Sequence, residues 1–187
     1  MIIGITGRIG SGKSTLANEL VKAGFKEYSF AKPLKEISEI FGFEPNTLYG
    51  TQEEKLQIHP FWNISSREFL QKLGTEIFRE TLPKVIPTMN LKYSVWIQLF
   101  LLELQKNRLH LDAKNYVISD VRFLDEAKAI KENGGFIVKT YRKGQSLSNH
   151  KSEAEIDLIK EDFFLNNDEV AIQDIGNLVL SKLSFKK

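Results

Sequence analysis

The chain has 187 residues, enough for one well-packed core and short for two. Hydrophobic residues make up 42% and charged residues 27%, which excludes long disorder, and a formal net charge of +2 excludes the global positive field of a polymeric nucleic-acid binder. The absence of cysteine excludes disulfides, thiolate metal sites and cysteine nucleophiles; with no leader-like pattern at the N-terminus, a cytoplasmic protein is expected.

The apolar run Ile2 to Ile5 predicts a first strand over Ile2 to Thr6, and Thr15 to Ala23 carries a helical pattern. Between them Gly7-Arg8-Ile9-Gly10-Ser11-Gly12-Lys13-Ser14 has the spacing G-x-x-x-x-G-K-S of a P-loop. Its glycines let the backbone curl until successive N–H groups face one anion, and the helix behind adds its positive N-terminus. The expected guest is the triphosphate tail of ATP, bound by Gly7, Gly10, Ser11, Gly12, Lys13, Ser14 and Thr15. Lys13 is expected to reach the β- and γ-phosphates, and the Ser14 hydroxyl to coordinate Mg²⁺.

A second strand is expected over Glu27 to Phe30, followed by a helix that Pro33 starts. Lys32 and Lys35 fall at that strand's carboxyl end, where each suits either contact with an acceptor phosphate or plain solvation. The stretch from Phe43 to Arg108 has no convincing strand and is expected as a helical insertion; about 1–42 with 109–187 would form the core of a single domain. Ser65 and Glu68 predict a capping box, and Phe69, Leu70, Leu73, Ile77 and Phe78 recur at helical spacing, giving a helix from about Ser65 to Leu82 stopped by Pro83. Arg67, Gln71, Thr75 and Arg79 step by four along another face, either as a solvated surface or as a stripe for an anionic substrate.

A helix is expected from Leu91 to about Lys106. Its apolar part, Trp96 to Leu104, is far below the ~20 residues that cross a bilayer, so no membrane partner is expected. The sequence leaves the oligomeric state open, with that surplus of apolar surface as an argument for a homodimer. Further strands are expected over Tyr116 to Ser119, Phe136 to Tyr141 and Phe163 to Leu165, with helices starting near Leu124 and after Asp174. Asn166-Asn167-Asp168 reads as a turn. Alternating strands and helices predict an α/β fold, a five-stranded parallel sheet with helices on both faces.

Asp120 and Arg122 follow an apolar strand, at the edge where doubly wound sheets bind ligands; Asp120 is expected to hold Mg²⁺ opposite Ser14, and Arg122 to face the phosphates. Arg142 closes the fourth strand and opens a lid-like loop over about residues 142–152, which carries His150 as a substrate contact or a solvated histidine. Ser152 and Glu155 read as helix-start residues, and His59 and His110 receive no role in chemistry. No general base stands between Phe30 and Lys35, which suits an acceptor that is already ionised, such as a phosphate monoester.

The P-loop, Phe30-Ala31-Lys32-Pro33-Leu34-Lys35, Ser66 to Glu76, Ser119-Asp120-Val121-Arg122-Phe123 with Glu126, and His150-Lys151-Ser152-Glu153 together resemble the phage and viral deoxynucleoside monophosphate kinases. The resemblance implies a nucleoside-monophosphate-kinase fold and ATP-dependent phosphorylation of a deoxynucleotide. It implies that Lys13, Ser14 and Asp120 serve ATP and Mg²⁺, and that Arg67, Gln71, Thr75 and Arg122 line the acceptor site. Lys32 departs from it, since many relatives have an aspartate there. The nearest rival is dephospho-coenzyme A kinase, whose N-terminus looks much like Ile3 to Thr15; its hydroxyl acceptor calls for an acid where this chain has Ala31 and Lys32. A rival of another class is a non-enzymatic ATP-binding switch, against which the arginines of the insertion count.

Overall fold

The computed structural model describes residues 1–89, 91–109, 114–144 and 155–184. In chain order the elements are β1 (Ile2–Thr6), α1 (Lys13–Lys22), β2 (Lys26–Tyr28), α2 (Lys32–Ile40), α3 (Pro45–Tyr49), α4 (Gln52–Leu56), β3 (Ile58–His59), β4 (Ile64–Ser65) and α5 (Ser66–Gln71). A π-helical stretch, Lys72–Thr81, leads into α6 (Leu82–Val85), followed by α7 (Val95–Arg108), β5 (Tyr116–Ile118), α8 (Leu124–Glu132), β6 (Phe136–Tyr141), β7 (Phe163–Asn166) and α9 (Ile175–Ser184). The chain divides into two compact units, Met1–Ser29 with Leu102–Lys187, and Phe30–Leu101.

The first unit is built on one sheet of order β2-β5-β1-β6-β7, parallel throughout. Along β1 the side chains alternate. Ile3 and Ile5 enter a buried cluster with Leu16, Ala17 and Leu20 of α1, Val179 and Leu183 of α9, and Val117, Val138 and Leu165 of the neighbouring strands. Gly4 faces the other way, where an added Cβ would stand 2.7 Å from Ile130 Cδ1 of α8 and 2.8 Å from Ile137 Cδ1. Helices thus cover both faces, which is why every residue of β1 and β5 is buried. Because all five strands run one way, their carboxyl ends share one edge.

At the amino ends, Lys26 donates to Glu103 Oε1 at 2.5 Å and the Tyr116 hydroxyl donates to the same oxygen at 3.0 Å. The Lys26 ammonium, and then the Tyr116 hydroxyl, hold the Glu103 carboxyl below its ordinary range. Glu103 in turn raises Lys26, while burial raises the Tyr116 phenol. This network ties β2, α7 and β5 together.

In the second unit, Trp96 is buried, donates its indole N–H to Gly74 O at 3.0 Å and packs on Phe78 at 5.0 Å between ring centroids. Phe30 meets Phe100 edge-on at 5.9 Å. Core packing therefore explains Trp96. Ile97, Phe100 and Leu104 of α7 are also buried, whereas Leu102 is exposed.

Two expectations for this region are corrected. A short antiparallel hairpin, β3 with β4, stands where no strand was expected; Asn63 takes the left-handed conformation at φ 52, and His59 Nδ1 accepts the Phe61 N–H at 3.2 Å. Strands this short carry no periodic signal. Nor does Pro83 stop the helix, which runs on as α6. The Leu82 N–H reaches back five residues to Ile77 O and the Thr81 hydroxyl donates to Glu76 O at 2.7 Å, so the turn before the proline is wide. Pro83 then falls in the first turn of α6, where a missing N–H costs little. The same widening accounts for Ile77, expected on the apolar face yet 49% exposed.

Candidate functional site

At the carboxyl end of β1 the chain turns through Gly7, Gly10 and Gly12 at φ 144, 84 and 93, conformations that side chains disfavour, and Gly12 leads into α1. Lys13 Nζ donates to Gly7 O at 2.6 Å and Arg8 O at 2.8 Å, which holds the ammonium across its own loop. Ser14 and Thr15 occupy the first turn of α1, with Ser14 exposed. Their free first-turn N–H groups and the helix dipole give the loop its attraction for anions.

Ser11 is fully buried and its polar groups are engaged. Its N–H donates to Arg8 O at 3.1 Å. The Thr140 hydroxyl donates to Thr6 O at 3.2 Å, so it is Ser11 that donates its own proton to Thr140 Oγ1, at 2.8 Å. The Ser11 carbonyl accepts from Asn167 Nδ2 at 2.5 Å. Ser11 therefore shapes the loop, while the N–H groups that follow it are the ones left to face a phosphate chain. Arg142, at the end of β6, brings Nη2 to 3.7 Å from where a Cβ on Gly12 would sit. Arg8 pairs with Asp157, which follows the expected lid.

Next along the edge, Asp120 follows β5 and accepts from the Ser29 hydroxyl at 2.7 Å. The backbone crosses above β1, with the Val121 N–H on Ile5 O at 3.1 Å. Glu126, 3% exposed in the first turn of α8, accepts the N–H groups of Arg122 at 2.8 Å and Phe123 at 3.1 Å through one carboxylate oxygen. That carboxylate fixes the turn carrying Asp120 and Arg122. Glu155, expected to start a helix, does stand at the N-cap of a 3-10 turn, Ile156–Leu158, and its carboxylate also accepts the Leu124 N–H at 2.8 Å, which caps α8.

The second unit carries the remaining candidates. Lys35 Nζ sits 4.3 Å from the centroid of the Tyr49 ring, a cation–π contact that holds its head group. Arg67 donates to Gln52 Oε1 at 2.6 Å. Thr75 is buried and Arg67, Gln71 and Arg79 are half-buried, whereas Glu68, Lys72 and Glu76 are exposed, so the stripe is not the helix's solvated face. A four-residue step overshoots an α turn of ~3.6 residues and falls short of a π turn, so the drift of the first step is undone along the π stretch. The four side chains stay aligned. Trp62, 46% exposed, donates its indole N–H to Phe41 O at 2.7 Å.

His150 lies outside the described residues, as do Gln145 and the rest of 145–154. Among the described residues there is no group of three or more histidine, cysteine or acidic side chains that would hold a metal alone, and no helix is long and apolar enough to cross a membrane. The residues that sequence reading missed are Ser29, Thr140 and Asn167. Ser29 and Asn167 each follow a strand and Thr140 is the last residue but one of β6, so a place near the carboxyl ends of the strands was the available signal; Asn167 was read only as part of a turn.

Comparison with known proteins gives the site its context. The family model of deoxynucleotide monophosphate kinases matches residues 47–177. The chain is 36% identical, over 97% of its length and 95% of the relative's, to a protein of Acanthamoeba polyphaga mimivirus named "Putative deoxynucleotide monophosphate kinase". A dephospho-CoA kinase of Fusobacterium nucleatum is 56% identical over 39 residues, 21% of this chain. Shikimate kinase from Aquifex aeolicus vf5 superposes with a TM-score of 0.53 at 13% identity, over 100% of this chain and 98% of that one, a likeness of fold alone. With a braced P-loop at the edge of a parallel sheet and a relative matched end to end, the chain belongs to the deoxynucleotide monophosphate kinase family, nucleotide phosphotransferases on the P-loop kinase fold.

Proposed function

We propose that this kinase transfers the γ-phosphoryl group of ATP to the 5′-phosphate of a deoxynucleoside monophosphate, giving ADP and a deoxynucleoside diphosphate. The observation that carries the reading is the P-loop with Lys13 folded over it, on the same sheet edge as Asp120 and Arg122. An oxygen of the acceptor phosphate bonds to the γ-phosphorus while the bond to the β,γ-bridging oxygen breaks, and the electron pair leaves with ADP. The acceptor is already an anion, so no side chain need take a proton, consistent with Ala31 and Lys32 standing behind β2.

Such a transfer depends on positioning and on neutralising charge spread over the phosphoryl oxygens. First-turn N–H groups of α1 hold the donor phosphates, and Lys13, Arg122 and Arg142 supply positive charge to the phosphoryl group. Arg67, Gln71, Thr75 and Arg79 hold the acceptor, with Lys35 as a further cation. Exposed Ser14 and the Asp120 carboxylate offer hard oxygen ligands of the kind Mg²⁺ prefers, so they fit that ion. Bound there, Mg²⁺ would screen the charge of the donor phosphates.

The test is ³¹P NMR of a reaction with Mg²⁺-ATP and a deoxynucleoside monophosphate. A new pair of diphosphate resonances assigned to the deoxynucleotide is the expected outcome. Hydrolysis of ATP to ADP and inorganic phosphate alone would contradict the proposal.

A further inference from the structure

Nothing in the chemistry of phosphoryl transfer by itself explains why an asparagine 156 positions away is buried beneath the P-loop. Asn167 is 9% exposed and its backbone N–H is fixed on Tyr141 O at 2.9 Å, just past β7. Its side-chain amide donates to Ser11 O at 2.5 Å, and a Cβ on Gly12 would overlap that amide.

The Ser11 carbonyl and the Gly12 N–H belong to one planar trans peptide, so they point in opposite directions. Holding the carbonyl on Asn167 therefore turns the Gly12 N–H to the opposite side of the loop. Gly12, at φ 93, lacks the side chain that would otherwise limit rotation of this peptide, so the freedom that lets the loop form also lets it flip. The Ser11 hydroxyl, held by Thr140, fixes the residue's side chain but not its carbonyl.

We propose that Asn167 is a positioning residue for the phosphate loop, locking the Ser11–Gly12 peptide so that its N–H faces the donor phosphates. This rests on the reading of the loop as the donor site. It also assigns Asn167 to the phosphates, not to the base of ATP.

Calorimetric titration of wild type, N167A and N167L with Mg²⁺-ATP and with inorganic tripolyphosphate, which has no base, separates the two. Leucine keeps the size and removes the donor, and thermal melts verify that each variant folds. Both variants should bind both ligands about tenfold more weakly, the scale of one buried hydrogen bond to a loop carbonyl, while KM for the deoxynucleotide stays unchanged. Unaltered tripolyphosphate affinity, with or without a loss for ATP, would overturn the role of Asn167. Failure of wild type to bind tripolyphosphate would instead overturn the donor-site reading.

Discussion

A lysine that bridges two carbonyls of its own loop keeps its ammonium at that loop. Lys13 is in that position. Lys13→Ala and Arg122→Ala should each lower kcat by at least about 10²-fold with the fold intact, the size expected for losing transition-state charge stabilisation. Steady-state kinetics beside circular dichroism checks both, and near-normal turnover by Arg122→Ala would remove that residue from the site. Lys13 and Ser14 were legible in the sequence because a P-loop states its requirements within eight consecutive residues. Asn167 and Thr140 were not, since the atoms they brace lie 156 and 129 positions away and only the folded sheet brings them together. Glu126 falls between these cases: its spacing from Asp120 was visible, but not that its carboxylate holds the Arg122 N–H.

Elements long enough to repeat their pattern were read well. The strands Ile2–Thr6 and Phe136–Tyr141 and the start of α8 at Leu124 stand where expected. Boundaries failed where local preference met packing: α7 begins at Val95, not Leu91, and a π stretch interrupts a helix whose caps looked ordinary. Gly4→Ala tests how tightly α8 sits on β1. Its new methyl meets two buried isoleucines, so a loss of about 1–3 kcal/mol in urea unfolding is expected, the range for overpacking a core. At the amino ends of the strands, Glu103 gives a pH prediction. Its carboxyl is depressed in the folded chain, first by Lys26, so its contribution is present above the ordinary carboxylate range and is lost as pH falls through the folded value. Glu103→Gln should therefore destabilise at neutral pH, by no more than about 1 kcal/mol because the pair is partly exposed, and the difference from wild type should shrink as pH falls through the depressed folded-state value of the carboxyl. Thermal melts across that range decide it.

At the scale of the molecule, the parallel sheet was legible because strands covered on both faces are largely apolar and alternate with helices. The division into two compact units was less so: the second begins at Phe30, immediately after β2, where the chain offers no composition break. Which base is accepted depends on contacts that no local pattern encodes. The central claim is that a deoxynucleoside monophosphate is the acceptor, and ADP release in a coupled assay tests it most directly, with Mg²⁺-ATP and a panel of deoxynucleoside monophosphates, ribonucleoside monophosphates and dephospho-coenzyme A. Turnover with at least one deoxynucleoside monophosphate, faster than with dephospho-coenzyme A, is the predicted result. Turnover with dephospho-coenzyme A alone, or with no acceptor at all, would contradict it.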